Sequence, residues 1–161
     1  MVWKSSEKSG VRHCSNVKFL GYTIMSGGRI RVADASVIKL KDKIRKITKR
    51  SRGVSFNRVI RELNASFKGW SSYFKLANSW LTMFRELDGW IRRRLRCYRL
   101  KQKAIVKLLR SLGTPENKCW GVALYSHGWW NMSKRVAVGH AMNNKWFALL
   151  GLQSLNVLMN P

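Results

Sequence analysis

The sequence predicts a mainly α-helical protein with a short β-hairpin near its N-terminus. Apolar and polar residues alternate before residue 33, whereas from residue 34 the apolar residues recur at intervals of three and four. The 161 residues are 45% hydrophobic and include eight Trp, six Phe and four Tyr, which is enough apolar material for a packed core. The length corresponds to one domain of ordinary size or slightly more.

The predicted hairpin occupies residues 16–32, and its turn is expected at Ser26-Gly27-Gly28. Two strands alone are only marginally stable in water, so we expect the hairpin to pack against another element. The strands are marked by β-forming residues, which are Val17, Phe19, Tyr22, Ile24, Ile30 and Val32.

The first two helices are predicted to begin near residue 34 and at Ser55. We expect Ser36 to cap the first helix and Gly53 to end it. Gly69 lies inside the second helix at a cost of about 1 kcal/mol relative to Ala, which suggests that a neighbouring helix packs closely beside it. The apolar stripes are Val37, Leu40, Ile44 and Ile47 in the first helix, and Phe56, Val59, Ile60, Leu63, Phe67, Trp70, Phe74 and Ala77 in the second.

Two further helices are predicted over residues 81–98 and 101–112, and Gly113 is expected to end the second of them. Thr114 is the expected N-cap of a short helix with Pro115 and Glu116 in its first turn. The remaining tail is also predicted to be helical. The inner faces carry Leu81, Phe84, Leu87, Ile91, Leu95 and Tyr98, then Ile105, Leu108, Leu109 and Leu112.

The basic charge is concentrated in the middle of the chain. The net charge is +25, and residues 29–110 contain 24 of the 32 basic residues and five of the seven acids. Such a concentration favours a nucleic-acid partner over an evenly solvated surface. No apolar run approaches about 18 residues, so neither a membrane span nor a membrane partner is predicted. Residues 1–20 are too polar for a secretory leader.

No catalytic site, metal site or cofactor is predicted. Glu86 and Asp88 are the only acids close in sequence, and on a helix they would point about 200° apart, so we interpret them as surface acids. His13-Cys14 and the pair Cys119 and His127 lack the spacing of zinc ligands. Three scattered cysteines are typical of a reducing compartment.

The chemistry that the sequence does support is phosphate binding by Arg and Lys. Residues 92–107 are the densest basic stretch, and we expect this stretch to be exposed. Trp70 and Trp90 lie on or beside apolar stripes, which favours a core role, whereas Trp129 and Trp130 are open to stacking on unpaired bases. The predicted phosphate contacts are Lys39, Arg45, Lys46, Lys49, Arg58, Arg61, Lys68, Arg92, Arg93, Arg94, Arg96, Arg99, Lys101, Lys103 and Lys107.

Several segments also match a known family in order and spacing. They are residues 40–50 with Gly53-Val54-Ser55, residues 59–64, Lys68-Gly69-Trp70 with Tyr73-Phe74, and residues 87–96. Together they resemble the maturase-specific region, also called the thumb or domain X, of group II intron reverse transcriptases. Lys8-Ser9 and residues 19–22 resemble the end of the palm of these enzymes. The tail is similar to the end of bacterial members at Gly128-Trp129-Trp130, residues 143–147 and Gly151-Leu152.

The resemblance implies three regions: a palm remnant (1–33), a maturase-specific domain (34–113) and a helical C-terminal extension (114–161). It also implies that the chain binds group II intron RNA and assists its splicing, and that it contacts a template–primer duplex. The family's Tyr-x-Asp-Asp turn and earlier catalytic aspartate have no counterpart in this sequence. We therefore expect the C-terminal third of such a protein, which is not an enzyme on its own.

Two other hypotheses stay open. The chain could be the C-terminal half of a split or truncated RNA-directed DNA polymerase that needs a separate fingers–palm chain. Alternatively, it could be a non-functional remnant of a mobile element, which the unpaired strand edges expected of the hairpin would favour. The bacterial character of the tail favours a bacterial cytoplasm over an organelle.

Overall fold

The computed structural model describes residues 18–25, 28–77, 81–100, 104–125 and 127–159. These residues form a small antiparallel sheet followed by α-helices, so the predicted mainly α class is confirmed. The strands are β1 (Lys18–Phe19), β2 (Tyr22–Ile24) and β3 (Ile30–Val32). The helices are α1 (Asp34–Ile47), α2 (Phe56–Tyr73), α3 (Leu81–Arg99), α4 (Ile105–Ser111), α5 (Glu116–Ala123), α6 (Gly128–Met132), α7 (Val136–Ala141), α8 (Asn144–Leu149) and α9 (Leu155–Met159).

The sheet has three strands rather than the two predicted, because the chain turns at Leu20 and Gly21 and divides the predicted first strand into β1 and β2. Strands β2 and β3 pair with Tyr22 opposite Val32 and Ile24 opposite Ile30. Strand β1 pairs with the other edge of β2, where Phe19 lies opposite Tyr22. Val17 and the predicted turn residues Ser26 and Gly27 lie outside the described residues.

The sheet packs against the C-terminal end of α2, which supplies the support that a small sheet needs. The ring of Tyr22 contacts that of Phe74 at a centroid distance of 5.2 Å, and its hydroxyl donates to the carbonyl of Tyr73 at 2.5 Å. The Tyr73 hydroxyl in turn donates to the carbonyl of Leu20 at 3.1 Å. Gly21 is required here, because its φ is +81° and a Cβ would approach the Ser36 hydroxyl to 2.8 Å.

Helix α1 differs from the prediction at both ends. Ser36 does not cap the helix; it lies in the first turn, and its hydroxyl donates to the carbonyl of Gly21 at 3.2 Å. The N-cap is Ala33, whose N–H also donates to the Gly21 carbonyl. The helix ends at Ile47 rather than at Gly53, and a single 3₁₀ turn, Arg50–Arg52, follows it. The tertiary contact with the sheet therefore decides where α1 begins.

The predicted start is correct for α2 and one residue too early for α5. Helix α2 opens at Ser55 as predicted, and Ser55 is its N-cap, because its side chain accepts a hydrogen bond from the N–H of Arg58. Thr114 does not cap α5: that helix begins at Glu116, and Pro115 stands at the N-cap without a side-chain bond. The prediction was therefore one residue early at this site, where proline can take the cap position because it supplies no N–H.

One hydrophobic cluster runs through the structure from β3 to α9. The predicted stripes of α1, α2 and α3 meet in it, and Ile44, Leu63, Phe67 and Leu95 are fully buried. The predicted helical tail is confirmed, and it completes the same core. The tail contributes Cys119, Val122, Met132, Val138, Met142, Phe147, Leu155 and Met159. Burial of each large side chain stabilises the fold by about 1.5–3 kcal/mol.

Asp88 is buried, at 5% exposure, which corrects the expectation of a surface acid. Its carboxylate accepts hydrogen bonds from the Ser154 hydroxyl at 2.5 Å and from the N–H groups of Leu155 and Asn156 at 2.9 and 3.2 Å. The three donors lie at the start of α9, more than 60 residues away in sequence. The spacing of residues around Asp88 in the sequence could not predict these donors. Glu86 is exposed, as predicted.

The expectation of close packing at Gly69 is wrong, since a Cβ at this position would meet nothing within 4 Å. We therefore expect Gly69→Ala to stabilise the protein by about 0.5–1 kcal/mol through helix propensity alone. Urea unfolding followed by circular dichroism measures the change. Gly21→Ala is the matched control and should destabilise, because its Cβ has no room and its φ is positive. A loss of stability in Gly69→Ala would show that a neighbour packs on Gly69 after all.

Candidate nucleic-acid interface

The predicted phosphate contacts fall into distinct groups. Seven of them are exposed and have no acidic partner in the described part of the chain. These seven, which we call the open cations, are Lys39, Lys46, Lys49, Arg61, Lys68, Arg99 and Lys107. Lys101 and Lys103 lie outside the described residues, and Arg92 is half-buried.

Two predicted contacts are paired with acids. Arg45 binds Asp42 at 2.6 Å, and Arg58 binds Glu62 at 3.0 Å. Glu62 also binds Arg52 at 2.7 Å. The hydrogen bonds from Arg52 and then from Arg58 lower the pKa of Glu62 below its usual range. Exposed ion pairs of this kind are weak, so a phosphate can compete with the carboxylate for these guanidinium groups.

The arginines of α3 are not the fully exposed strip that the sequence predicted. Arg93 and Arg96 are half-buried between α3 and the C-terminal helices. Arg93 donates to the carbonyl of Trp130 at 2.9 Å, and Arg96 donates to the carbonyl of Met142 at 3.0 Å. The guanidinium fork and the apolar stem of arginine allow this partial burial, which a compact ammonium group would not tolerate as well.

Arg94 is held in the same manner on the other side of α3, where its Nε donates to the Thr48 hydroxyl at 2.7 Å. Burial lowers the pKa of Arg93, Arg94 and Arg96, but an arginine keeps its proton in proteins. Their partners are carbonyl and hydroxyl groups rather than carboxylates. Their positive charge is therefore retained rather than neutralised.

The two adjacent tryptophans lie in helix α6 and not in a loop. The guanidinium of Arg50 lies 3.8 Å from the ring centroid of Trp129, and that of Arg93 lies 3.7 Å from the ring of Trp130. A stacked guanidinium occupies a ring face that a base would otherwise use. Trp70 has the core role expected of it, because it packs against the hydrophobic cluster and its ring centroid lies 4.6 Å from that of Phe74.

Trp90 has a mixed environment. It is half-buried and packs against the core, and the guanidinium groups of Arg45 and Arg94 lie 5.5 and 5.4 Å from its ring. Its ring therefore links a cation of α1 to a cation of α3.

Sequence reasoning missed Lys43. This side chain lies one helical turn after Lys39, and both residues line a groove of about 390 Å³ between α1 and α2. Gly69, Trp70 and Tyr73 form part of the other wall. The spacing of four residues between two lysines could have indicated this. The groove adds an aromatic wall to the basic outer face of α1.

The described residues contain no group of three or more His, Cys, Asp or Glu side chains that could hold a metal ion. Cys119 is buried, and its thiol donates to the carbonyl of Thr114. His127 is exposed and stacks on Tyr125, with 4.8 Å between the ring centroids. His13 and Cys14 lie outside the described residues. Across the described ranges, every helix is too short or too polar to cross a lipid bilayer.

A helical bundle that leaves so many cations without acidic partners belongs to the class of basic proteins whose charge is suited to a polyanion. A more particular assignment comes from comparison with protein families. Residues 37–111 match the family model of the group II intron, maturase-specific domain. This match, which covers 75 of the 161 residues, supports a C-terminal maturase region of a group II intron protein and a maturase role. No curated protein matches the chain.

Proposed function

We propose that the protein binds group II intron RNA and assists its splicing without a polymerase site of its own. The observation that carries the proposal is the charge of the maturase region, where seven exposed cations have no acidic partner among the described residues. Phosphate contacts release counterions, which supplies affinity, and structured RNA is read largely by shape and 2′-hydroxyl contacts.

The proposal gives α1 and α2 the main RNA-contacting role. Lys39, Lys46 and Lys49 are exposed along α1 and just after it, and Arg61 and Lys68 are exposed on α2. Arg93, Arg94 and Arg96 take a different part, because each is half-buried and donates to a carbonyl or hydroxyl group of the protein. These arginines hold the basic helices in position, and their own positive charge adds to that of the lysines on α1 and α2.

The proposal predicts that Lys39→Ala, Lys43→Ala and Lys46→Ala together weaken binding to a folded group II intron transcript by at least about ten-fold. The slope of log affinity against log salt should become shallower by about 0.7–0.9 for each lost contact. A filter-binding titration at several salt concentrations measures both quantities. Splicing of the transcript at limiting Mg²⁺, with and without protein, tests the maturase step.

The matched control combines Lys75→Ala, Arg85→Ala and Lys145→Ala. These residues are exposed, lie outside the predicted contact set and change the net charge by the same amount. We expect this triple variant to keep most of the affinity and to promote splicing. Equal losses in the two triple variants would mean that total charge alone determines binding, and the proposed interface would be wrong.

A split polymerase is the second candidate function, because a partner chain can cover an exposed apolar strand edge, although a mobile-element remnant would show such an edge as well. Phe19 in β1 and the adjacent Leu20 are more than 60% exposed, and among the described residues no strand pairs with the outer edge of β1. A separate fingers–palm chain could cover this edge by strand pairing. Polymerase activity that appears only when the two chains are mixed would support this function.

A further inference from the structure

A cleft of about 580 Å³ lies between α5 and α7, outside the residues that match the maturase-specific domain. Its volume is in the range of sites that hold small ligands or single nucleotides. The polar side chains on its walls are Asn117, Lys118, Tyr125, Asn131, Lys134 and Arg135. We call this the α5–α7 cleft.

The charge of the cleft is positive and is not compensated. Residues 111–161 contain four Lys or Arg residues, and three of these line this one cleft. The only acid in the same stretch is Glu116, which binds the Arg110 guanidinium and accepts from the Trp120 ring nitrogen. Within the described ranges, Lys118, Lys134 and Arg135 therefore have no ion pair with an acid. Converging cations without a counter-charge favour an anionic ligand.

The uncharged groups of the cleft suit a nucleobase. The Arg135 guanidinium lies 4.9 Å from the ring centroid of Tyr125, and His127 stacks on the same ring, so the ring edge rather than its faces is left for a base. The side-chain amide of Asn131 donates a hydrogen bond to the carbonyl of His127, and the side-chain oxygen of Asn117 accepts one from the N–H of Lys118. One carboxamide is left with an acceptor oxygen and the other with donor N–H groups, which is the combination that a base edge requires.

The cleft continues into a second cavity of about 350 Å³. Lys118, Val136 and Ala137 line both cavities, and the second extends to Pro115 and His140. Val136 is 73% exposed and offers an apolar surface to a sugar or a base face. The two cavities therefore share one wall and are treated as one groove. A paired helix would present its phosphates to such a groove but not its bases.

We propose that the α5–α7 cleft binds an unpaired segment of RNA, with phosphates at Lys118, Lys134 and Arg135 and a base beside Tyr125. The proposal takes its RNA partner from the proposed function, but it uses different residues. It assigns the C-terminal helices a binding role separate from that of α1 and α2.

The test uses the full chain and a single-stranded RNA hexamer that carries 4-thiouridine. The double variant Lys118→Ala/Lys134→Ala should bind the hexamer at least about ten-fold more weakly, with a salt slope shallower by about 1.4. Photocrosslinks in the wild-type protein should map to peptides that line the cleft, above all the peptide that contains Tyr125, and should disappear in the double variant. The control variant Lys75→Ala/Lys145→Ala loses the same charge from exposed sites outside the cleft and should change affinity by less than about two-fold.

Both cleft lysines are exposed, so we expect the double variant to fold, and its urea midpoint checks this. Crosslinks that map elsewhere, or equal losses in the two double variants, would overturn the proposal. So would displacement of the hexamer by a Glu-rich peptide of equal charge at equal concentration, because the cleft would then be a site for acidic peptides. If the wild-type protein does not bind the intron transcript but binds the hexamer and loses it in the cleft variant, the proposed function fails and the cleft site stands.

Discussion

Replacing Asp88 with alanine is expected to lower the free energy of unfolding by about 3 kcal/mol. The carboxylate is buried and accepts three hydrogen bonds from the first residues of α9. Its removal would leave the N–H groups of Leu155 and Asn156 without this acceptor, and an unsatisfied buried donor costs about 1–3 kcal/mol. It would also remove a negative charge from a helix N-terminus.

Urea unfolding of Asp88→Ala, Asp88→Asn and Glu86→Ala measures the effect. The asparagine variant keeps one acceptor oxygen but turns an N–H group toward the same donors. We therefore expect it to lose most of the stabilisation that the Asp88 carboxylate contributes. Glu86 is exposed on the same helix and serves as the control, with a change within about 0.5 kcal/mol. An Asp88→Ala protein as stable as the control would mean that α9 does not depend on this carboxylate.

The helices themselves could be predicted from the sequence because their signals are local. Val37, Leu40 and Ile44 recur at the helical interval and are all buried, and Ser55 stands where its side chain can cap the next helix. Ser36 and Asp88 were misassigned because their partners lie 15 and more than 60 residues away. Hydrogen bonds between residues this far apart in the sequence cannot be predicted from the spacing of neighbouring residues.

The site was predictable to a smaller extent. Lysines opposite an apolar stripe are exposed, because an ammonium group is strongly hydrated and costly to bury. The same argument failed for Arg93 and Arg96, whose guanidinium groups can bind backbone carbonyls and stack on rings while they remain charged. Composition could not show which arginines face the protein, because the carbonyls of Trp130 and Met142 are brought to α3 only by the fold.

Replacing Arg93 and Arg96 together by lysine is expected to destabilise the protein by about 3 kcal/mol, although the net charge is unchanged. Each guanidinium donates to a carbonyl of the C-terminal helices, and Arg93 also donates to the Ser133 hydroxyl at 3.3 Å and stacks on Trp130. Lysine has neither the planar fork nor the same stacking surface. The exposed Arg61→Lys serves as the control and should change stability by less than about 0.5 kcal/mol.

The lysine variants also separate a positioning role from a phosphate contact. If Arg93 and Arg96 act through the fold, the double variant should lose thermal and urea stability while its affinity for the intron transcript stays within about two-fold under conditions where it is folded. If instead affinity falls and the unfolding midpoint is unchanged, the two arginines contact RNA directly. The α3 arginines would then belong to the binding surface rather than to its support, because an exposed phosphate contact can be lost without affecting the core.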